Sequence, residues 1–192
     1  MKSRLNVLRA SHKVRDIASR RRRGGAVLEL AICGVLLAVI VFGAVEGGYY
    51  FYVKDIMTDA VREGCRNGVM GYSAGAAANG NPPEGSIASA SQVVLDQLMQ
   101  GGLLATGTTV STSGSTSTIG NYTLTFYDCS ALTGAPATIT SIQTGMTVGD
   151  GLLLTLTANW SVVGANFRPM KLIGGTGSHT ITESCMMRKE AL

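Results

Sequence analysis

The chain has 192 residues, 45% of them hydrophobic and 15% charged, with a formal net charge of +4. This length suits one modest domain with an anchor and excludes two independent domains of ordinary size. Nine of the 16 Lys and Arg residues fall within residues 1–23, where Asp16 is the one acid, and the remainder is net negative. The net charge of the whole chain therefore does not describe residues 24–192.

Residues 1–23 form a polar, basic leader that ends in the run Arg20–Arg23. The segment Gly24–Val45 is apolar apart from Glu29, and at ~1.5 Å per residue it is ~33 Å long, enough to cross a bilayer. Cations before a span keep the N-terminus in the cytoplasm. A nucleic-acid-binding arm is the alternative, but the leader lacks interleaved aromatic residues and directly precedes the span. We therefore predict a single-pass membrane protein with no nucleic-acid partner.

The helix pattern continues beyond the membrane segment. Apolar residues after Val45 recur at helical spacing, and no proline occurs before Pro82. We predict one helix from about Gly25 to Val69, in lipid over its first half and amphipathic over its second, with Tyr49–Tyr52 at the membrane interface. The predicted divisions are a basic cytoplasmic leader at 1–23, a transmembrane helix at 24–46, an amphipathic extension at 47–70 and an extracytoplasmic α+β domain at 71–192.

The next segments indicate a loop and a second helix. Glycines and prolines from Gly71 to Gly85 predict a loop. Ser86 or Ser89 is a candidate cap for a short helix, because apolar residues after them recur at helical spacing. Gly101 and the glycine that follows it predict the end of this helix.

From Leu103 onward the composition favours strands, since Thr, Val, Leu and aromatic residues dominate between glycine-bearing turns. Alternating apolar residues indicate one packed and one wet face. The sequence predicts an α+β fold in which the long N-terminal helix, with a transmembrane half and an amphipathic half, packs on a small antiparallel β-sheet beside a short second helix. The predicted strands are Thr108–Thr112, Asn121–Tyr127, Leu152–Trp160 and His179–Met187, and Thr106–Gly120 is predicted to be a flexible hairpin.

The four cysteines permit at most one intrachain disulfide outside the membrane. Cys33 lies within the apolar segment, whereas Cys65, Cys129 and Cys185 lie beyond it, where an oxidising compartment permits a bridge. We favour Cys129–Cys185, because both residues lie near strand ends. A pairing with Cys65, or no bridge at all, stays open.

No residue pattern indicates catalysis, a metal or a cofactor. The cysteine spacings fit no zinc site, and His12 and His179 have no Cys or carboxylate partner at metal-ligand spacing. No serine stands in a G-x-S-x-G setting. We expect no catalytic residues, no metal ligands and no cofactor, and hence no enzyme.

Three runs follow one another along the predicted helix: Arg23-Gly24-Gly25-Ala26-Val27-Leu28-Glu29-Leu30, Phe42-Gly43-Ala44-Val45-Glu46-Gly47-Gly48 and Thr58-Asp59-Ala60-Val61-Arg62-Glu63-Gly64-Cys65-Arg66. They resemble the Arg-Gly-x-x-x-x-Glu-aromatic opening, the Phe-Gly-x-x-Glu-x-Gly membrane exit and the Ala-Arg-Glu-Gly-Ala-Arg close of the TadE-like minor pseudopilins of tight-adherence (Flp-type, type IVb) pilus systems. The ending Met186–Glu190 is similar to the Met-Arg-Arg-Glu of some members. The resemblance covers about residues 22–66, with Leu30 in place of the aromatic residue and Gly34 where the family often has proline.

The resemblance implies a pilin-like fold and cleavage by a prepilin peptidase between Gly24 and Gly25, which would leave Glu29 fifth in the mature chain. The new α-amine and this acid would lie about one helical turn apart. Each is costly alone in lipid, so pairing within the chain or between subunits offsets both costs. The resemblance implies that Glu29 aligns one subunit with the next.

The resemblance also implies partners and a place in the cell. The expected partners are other pilin-like subunits, the prepilin peptidase, an inner-membrane assembly platform and membrane lipid. The expected localisation is the bacterial inner membrane with the C-terminal domain periplasmic, or an extracellular pilus. We predict a membrane-anchored minor subunit that takes part in assembling a tight-adherence pilus or a related secretion filament, with roles in adhesion or secretion.

Three alternatives remain open. The chain would be a single-pass anchored envelope protein with a ligand- or protein-binding β-domain if the pilin-like opening were incidental. A secretory signal cleaved near Ala44 is a second alternative, although the helix pattern continues past that point. In the third, Glu29 is a carboxylate that reaches the cytoplasmic membrane face.

Overall fold

The computed structural model describes residues 2–70, 85–129, 136–142, 146–147, 149–163 and 179–189, with side chains from residue 25 onward. The chain divides into two compact units, Met1–Val45 and Glu46–Leu192. Helix α1 spans Lys2–Val69. The predicted helix from about Gly25 to Val69 is confirmed, and α1 also includes the leader from Lys2.

The second helix, α2, spans Ile87–Gln100 and has the caps that the sequence predicts. The Ser86 hydroxyl accepts a hydrogen bond from the Ser89 amide (3.0 Å), which satisfies one free N–H group of the first turn. Gly101 caps the C-terminus. The glycine after it adopts a φ of 69°, a conformation that favours glycine.

Among the described residues, one antiparallel sheet contains six strands: β1 Val110–Ser113, β2 Thr116–Ile119, β3 Tyr122–Asp128, β4 Ala137–Thr138, β5 Gly151–Asn159 and β6 Thr180–Arg188. Their order is β1-β2-β3-β5-β6, with β4 paired to β3. The four predicted strands are confirmed with small shifts at their ends, and the predicted hairpin contains β1 and β2. Strand β4 was not predicted, and the predicted loop lies outside the described residues apart from Gly85. The one-turn helix α3, Trp160–Val163, follows β5.

The core lies between one face of this sheet and the two long helices. Alternate residues of β3 and β5 are buried, which confirms the predicted two-residue periodicity. The outer half of α1 supplies the opposing surface, as predicted, and α2 completes it. Full burial of a large apolar side chain stabilises a fold by about 1.5–3 kcal/mol. Fully buried examples are Val53, Met57, Val61, Val94, Leu98, Leu124, Phe126, Leu152, Leu154 and Leu156.

Candidate functional site

The predicted processing and registry residues lie on one stretch of α1. Gly25 and Glu29 are both exposed, and a Cβ added at Gly25 would meet no atom within 4 Å. Four residues at ~1.5 Å each place them about one turn apart. Glu29 is exposed, and no hydrogen bond or ion pair joins it to another side chain among the described ones. Gly24 belongs to the same helix, and its surroundings lie outside the described side chains.

The N-terminal unit exposes an apolar surface along α1. Eleven of its large hydrophobic side chains are exposed, by fractions that range from 37% at Phe42 to 73% at Leu30, whereas Val39 is of intermediate exposure. The stretch Gly25–Val69 contains a segment long and apolar enough to cross a membrane, and none of that segment is buried in the structure. Soluble monomers rarely expose a contiguous apolar surface of this size. Length and composition therefore indicate a single-pass membrane anchor.

Aromatic residues at the start of the C-terminal unit pack on the sheet, an arrangement that sequence reasoning missed. The ring centroids of Tyr49 and Tyr50 lie 5.8 Å and 5.3 Å from that of Trp160, which is 2% exposed. His179 stacks on Trp160 at 6.1 Å. Of the four residues predicted at a membrane interface, Phe51 is the most exposed, at 69%. Helical periodicity alone could have divided this aromatic run into a packed and an exposed side.

A polar contact joins α1 to the edge strand β6. The carboxylate of Glu183 lies 3.4 Å from the Lys54 ammonium and accepts a hydrogen bond from the Thr58 hydroxyl at 3.2 Å. The side chain of Glu183 is 15% exposed, whereas that of Lys54 is 47% exposed. The pair therefore contributes orientation more than stability, since water screens one partner.

Two glycines of α1 allow neighbouring elements to approach closely. A Cβ added at Gly64 would lie 2.5 Å from Val94 Cγ2 in α2, and one added at Gly68 would lie 2.7 Å from Leu152 Cδ2 in β5. Both distances are shorter than van der Waals contact allows. Gly64 belongs to the Arg-Glu-Gly run that the sequence analysis identified, so this part of the motif has a packing role.

The C-terminal basic residues hold the turns beside the sheet. The Arg188 guanidinium donates to the carbonyl oxygen of Gly149 at 2.9 Å. The Lys189 ammonium donates to the carbonyl oxygens of Ile142 and Met146 at 3.0 Å and 2.7 Å. These residues of the family-like ending are therefore structural within this unit.

All four cysteines are free thiols in the structure, and the predicted Cys129–Cys185 pair is in addition too far apart to form a disulfide. The reason is the strand order: β5 lies between the strand that leads to Cys129 and the strand that carries Cys185. The Cys129 amide donates to Gly151 at one end of β5, whereas Cys185 pairs with Leu154 three residues further along. Two strand spacings and three residues put the cysteines roughly 14 Å apart. A disulfide joins Cα atoms at most about 7 Å apart.

Cys65 of α1 is the cysteine that lies against Cys185. Its sulfur is 3.5 Å from the carbonyl oxygens of Leu152 and Cys185. Burial, and then the neighbouring Cys185 thiol, raises the pKa of Cys65 to about 12. At neutral pH Cys65 is therefore held as a protonated thiol.

Comparison with known proteins gives one match. Residues 24–66 match the family model described as TadE-like protein. No curated protein and no solved structure matches. Within the described residues, no three His, Cys, Asp or Glu side chains form a group that could hold a metal ion.

The match spans both parts of α1 discussed above, the exposed apolar stretch with Glu29 and the packed stretch with Gly64 and Cys65. It covers the same residues as the motif resemblance and confirms it. The family is a structural, pilus-associated one. Residues 24–66 are therefore similar to the TadE-like family, and this region includes an apolar stretch of helix suited to anchoring the chain in a membrane.

Proposed function

We propose that this protein is a pseudopilin, a minor membrane-anchored subunit in the assembly of a tight-adherence pilus or a related secretion filament. It inserts in the bacterial inner membrane with the basic leader in the cytoplasm and the sheet-containing unit in the periplasm. A prepilin peptidase cuts between Gly24 and Gly25. Its other partners are pilin-like subunits and the membrane platform that assembles them.

The observation that carries this proposal is the open carboxylate of Glu29 on an exposed apolar helix within the TadE-like match. A charged side chain costs roughly 2.5–3.5 kcal/mol at the centre of a membrane helix and less towards its end, and pairing offsets that cost. Cleavage before Gly25 would create an α-amine one turn away, on the same subunit or on a neighbour. Pairing of that amine with the Glu29 carboxylate offsets the cost of placing each charge in lipid, and it fixes the axial position of one subunit relative to the next.

Orientation in the proposal rests on charge. Nine cations precede the apolar stretch, whereas the residues that follow it carry more acids than bases. Insertion normally leaves the more cationic flank in the cytoplasm. The buried core built on α1 beyond Glu46 then belongs to the periplasmic unit.

N-terminal sequencing of the membrane-extracted protein tests the processing step. In cells with an active prepilin peptidase we expect a mature chain that begins at Gly25. Gly24→Val should block the cut, because a branched side chain then precedes the scissile bond, whereas Gly34→Val should be cut normally. A wild-type chain that keeps the leader would refute processing and favour the anchored-envelope alternative.

The registry role has a separate test. Glu29→Ala and Glu29→Gln both remove the charge, and the second keeps nearly the same size. We expect both variants to insert but to lose chemical cross-linking to pilin-like subunits in intact cells. Cross-linking at the wild-type level in both variants would refute the role of Glu29.

A further inference from the structure

Two cysteines that are far apart in the sequence lie side by side where α1 crosses β6. Cys65 and Cys185 are separated by 120 residues, and the Cys65 sulfur is 3.5 Å from the carbonyl oxygen of Cys185. The neighbouring Cys185 thiol also raises the pKa of Cys65, as expected for two thiols that lie close together. This is the one cysteine pair whose contact the structure records among the described residues.

Regular secondary structure holds both members of this pair. Cys65 is fully buried in α1, and its sulfur is 3.5 Å from the carbonyl oxygen of Leu152 in β5, the neighbour of β6. Cys185 pairs with Leu154 of β5, and it shares the inward face of β6 with Ile181 and Glu183. Since side chains on a strand alternate between faces, Cys185 has to point towards the helix.

A second contact independently fixes β6 against the same helix. Glu183, two residues before Cys185, bonds Thr58 and Lys54 of α1. Thr58 and Cys65 are seven residues apart, about two helical turns, and therefore lie on the same side of α1. The positions of the two thiols are thus fixed by the alignment of β6 against α1 and not by a flexible loop.

We propose that Cys65 and Cys185 form a disulfide once the C-terminal unit reaches an oxidising compartment, covalently joining α1 to β6. The inference rests on the export that is part of the proposed function. Cys129 remains a free thiol, because β5 separates it from Cys185. The bridge closes a loop through almost the whole C-terminal unit, so it restricts the unfolded chain strongly.

The chemistry is thiol–disulfide exchange with an external disulfide, either a small one or that of an oxidoreductase. Cys185, which is half-buried, loses its proton to water and attacks the external disulfide, so that one thiolate leaves and a mixed disulfide forms. Cys65 then loses its proton and attacks the Cys185 sulfur, releasing the second thiolate. The two cysteines lose two electrons and two protons, and the external disulfide becomes two thiols.

Peptide mapping of the full-length protein in detergent tests the pairing. The reduced protein is exchanged with glutathione disulfide, the remaining thiols are alkylated, and trypsin is added without reductant. Trypsin leaves each cysteine on its own peptide, Cys33 within 24–54, Cys65 within 63–66, Cys129 within 67–171 and Cys185 within 172–188. We expect a linked 63–66/172–188 species, lighter than the two peptides by two hydrogen atoms, and alkylated Cys129.

Matched variants make this result specific. Cys129→Ser should give the same linked species, whereas Cys65→Ser should abolish it. On the unmutated chain, adding reductant should lower Tm by on the order of 10 °C. Separately alkylated 63–66 and 172–188 peptides after oxidation, or a linkage through Cys129, would overturn the inference.

Acid-quenched alkylation in intact cells separates this inference from the proposed export. A linked species in cells supports both. If protease digestion of spheroplasts shows the C-terminal unit outside the cytoplasm, yet glutathione disulfide cannot close the bridge, the bridge alone is refuted. If glutathione disulfide closes it in vitro but cells contain only the reduced, protease-protected chain, the export is refuted and with it the bridge in the cell.

Discussion

Replacement of Gly64 by alanine tests how closely α1 and α2 pack. The new Cβ would lie 2.5 Å from Val94 Cγ2 and 3.2 Å from the carbonyl oxygen of Ala90. Val94 is fully buried, and a β-branched side chain in a helix has one strongly preferred rotamer. The Val94 methyl therefore cannot simply turn away, and the two helices have to separate.

The magnitude follows from two opposing effects. Overpacking of a close-packed core costs about 1–3 kcal/mol. Alanine in place of glycine in a helix stabilises the helix by about 1 kcal/mol. We therefore expect Gly64→Ala to lower the free energy of unfolding by up to about 2 kcal/mol. Gly48→Ala is the matched control, because Gly48 is exposed on the same helix and a Cβ there would meet no atom within 4 Å.

The assay is urea unfolding of full-length protein in detergent, followed by the fluorescence of Trp160. This residue is the single tryptophan of the chain, and it is buried against Tyr50, so its emission reports on opening of the C-terminal unit. We expect Gly48→Ala to be neutral or stabilising and to exceed Gly64→Ala by about 1–3 kcal/mol. Equal stabilities for the two variants would refute the close approach at Gly64.

Three further predictions use the same unfolding assay. Tyr122→Phe should raise the free energy of unfolding by about 1 kcal/mol, since the Tyr122 hydroxyl is buried without a hydrogen-bond partner within the described part of the chain; a loss of stability would contradict this. Glu183→Ala should lower the free energy of unfolding by about 1 kcal/mol, because the contacts to Lys54 and Thr58 are lost. Glu183→Gln should lower it less, since the glutamine side chain can still accept a hydrogen bond from the Thr58 hydroxyl. Equal losses for the two variants would contradict the Thr58 hydrogen bond. In the reduced chain, burial raises the pKa of Cys65 from 9.0 to about 12. Between these pH values the thiol ionises only in the unfolded chain, which favours unfolding. The contribution of Cys65 to the free energy of unfolding is therefore fully present below pH 9.0 and is lost as the pH rises towards 12. The oxidised chain has no Cys65 thiol to titrate, so the stability gap between the two forms should widen from pH 8 to 10, and a constant gap would show that the Cys65 pKa is not raised.

Most of the fold was readable from local patterns. The alternation of Tyr122, Leu124 and Phe126 predicted a strand with one buried face, and the structure has that strand and that face. Ser86 and Gly101 predicted the limits of α2, because capping depends on neighbouring backbone groups. The short strand β4 was missed because it has only two residues and no periodicity of its own.

Local sequence patterns could not predict which cysteines lie close together. Cys129 and Cys185 both lie near strand ends, which favoured them as partners, but distance in the sheet depends on which strands are neighbours. The insertion of β5 between them is a non-local result of pairing, and the same arrangement brings Cys65 against Cys185. The packed side of the aromatic run was likewise decided by where β5 and α3 place Trp160.

The sequence by itself determined the anchor, the acid at Glu29, the long helix and the strand-forming segments, because hydropathy, helical period and two-residue alternation are properties of a few consecutive residues. Only the tertiary structure decided which α1 residues touch which strand. That outcome depends on close packing between segments far apart in the chain, so Gly64 became a packing position and Cys65 came to lie against Cys185.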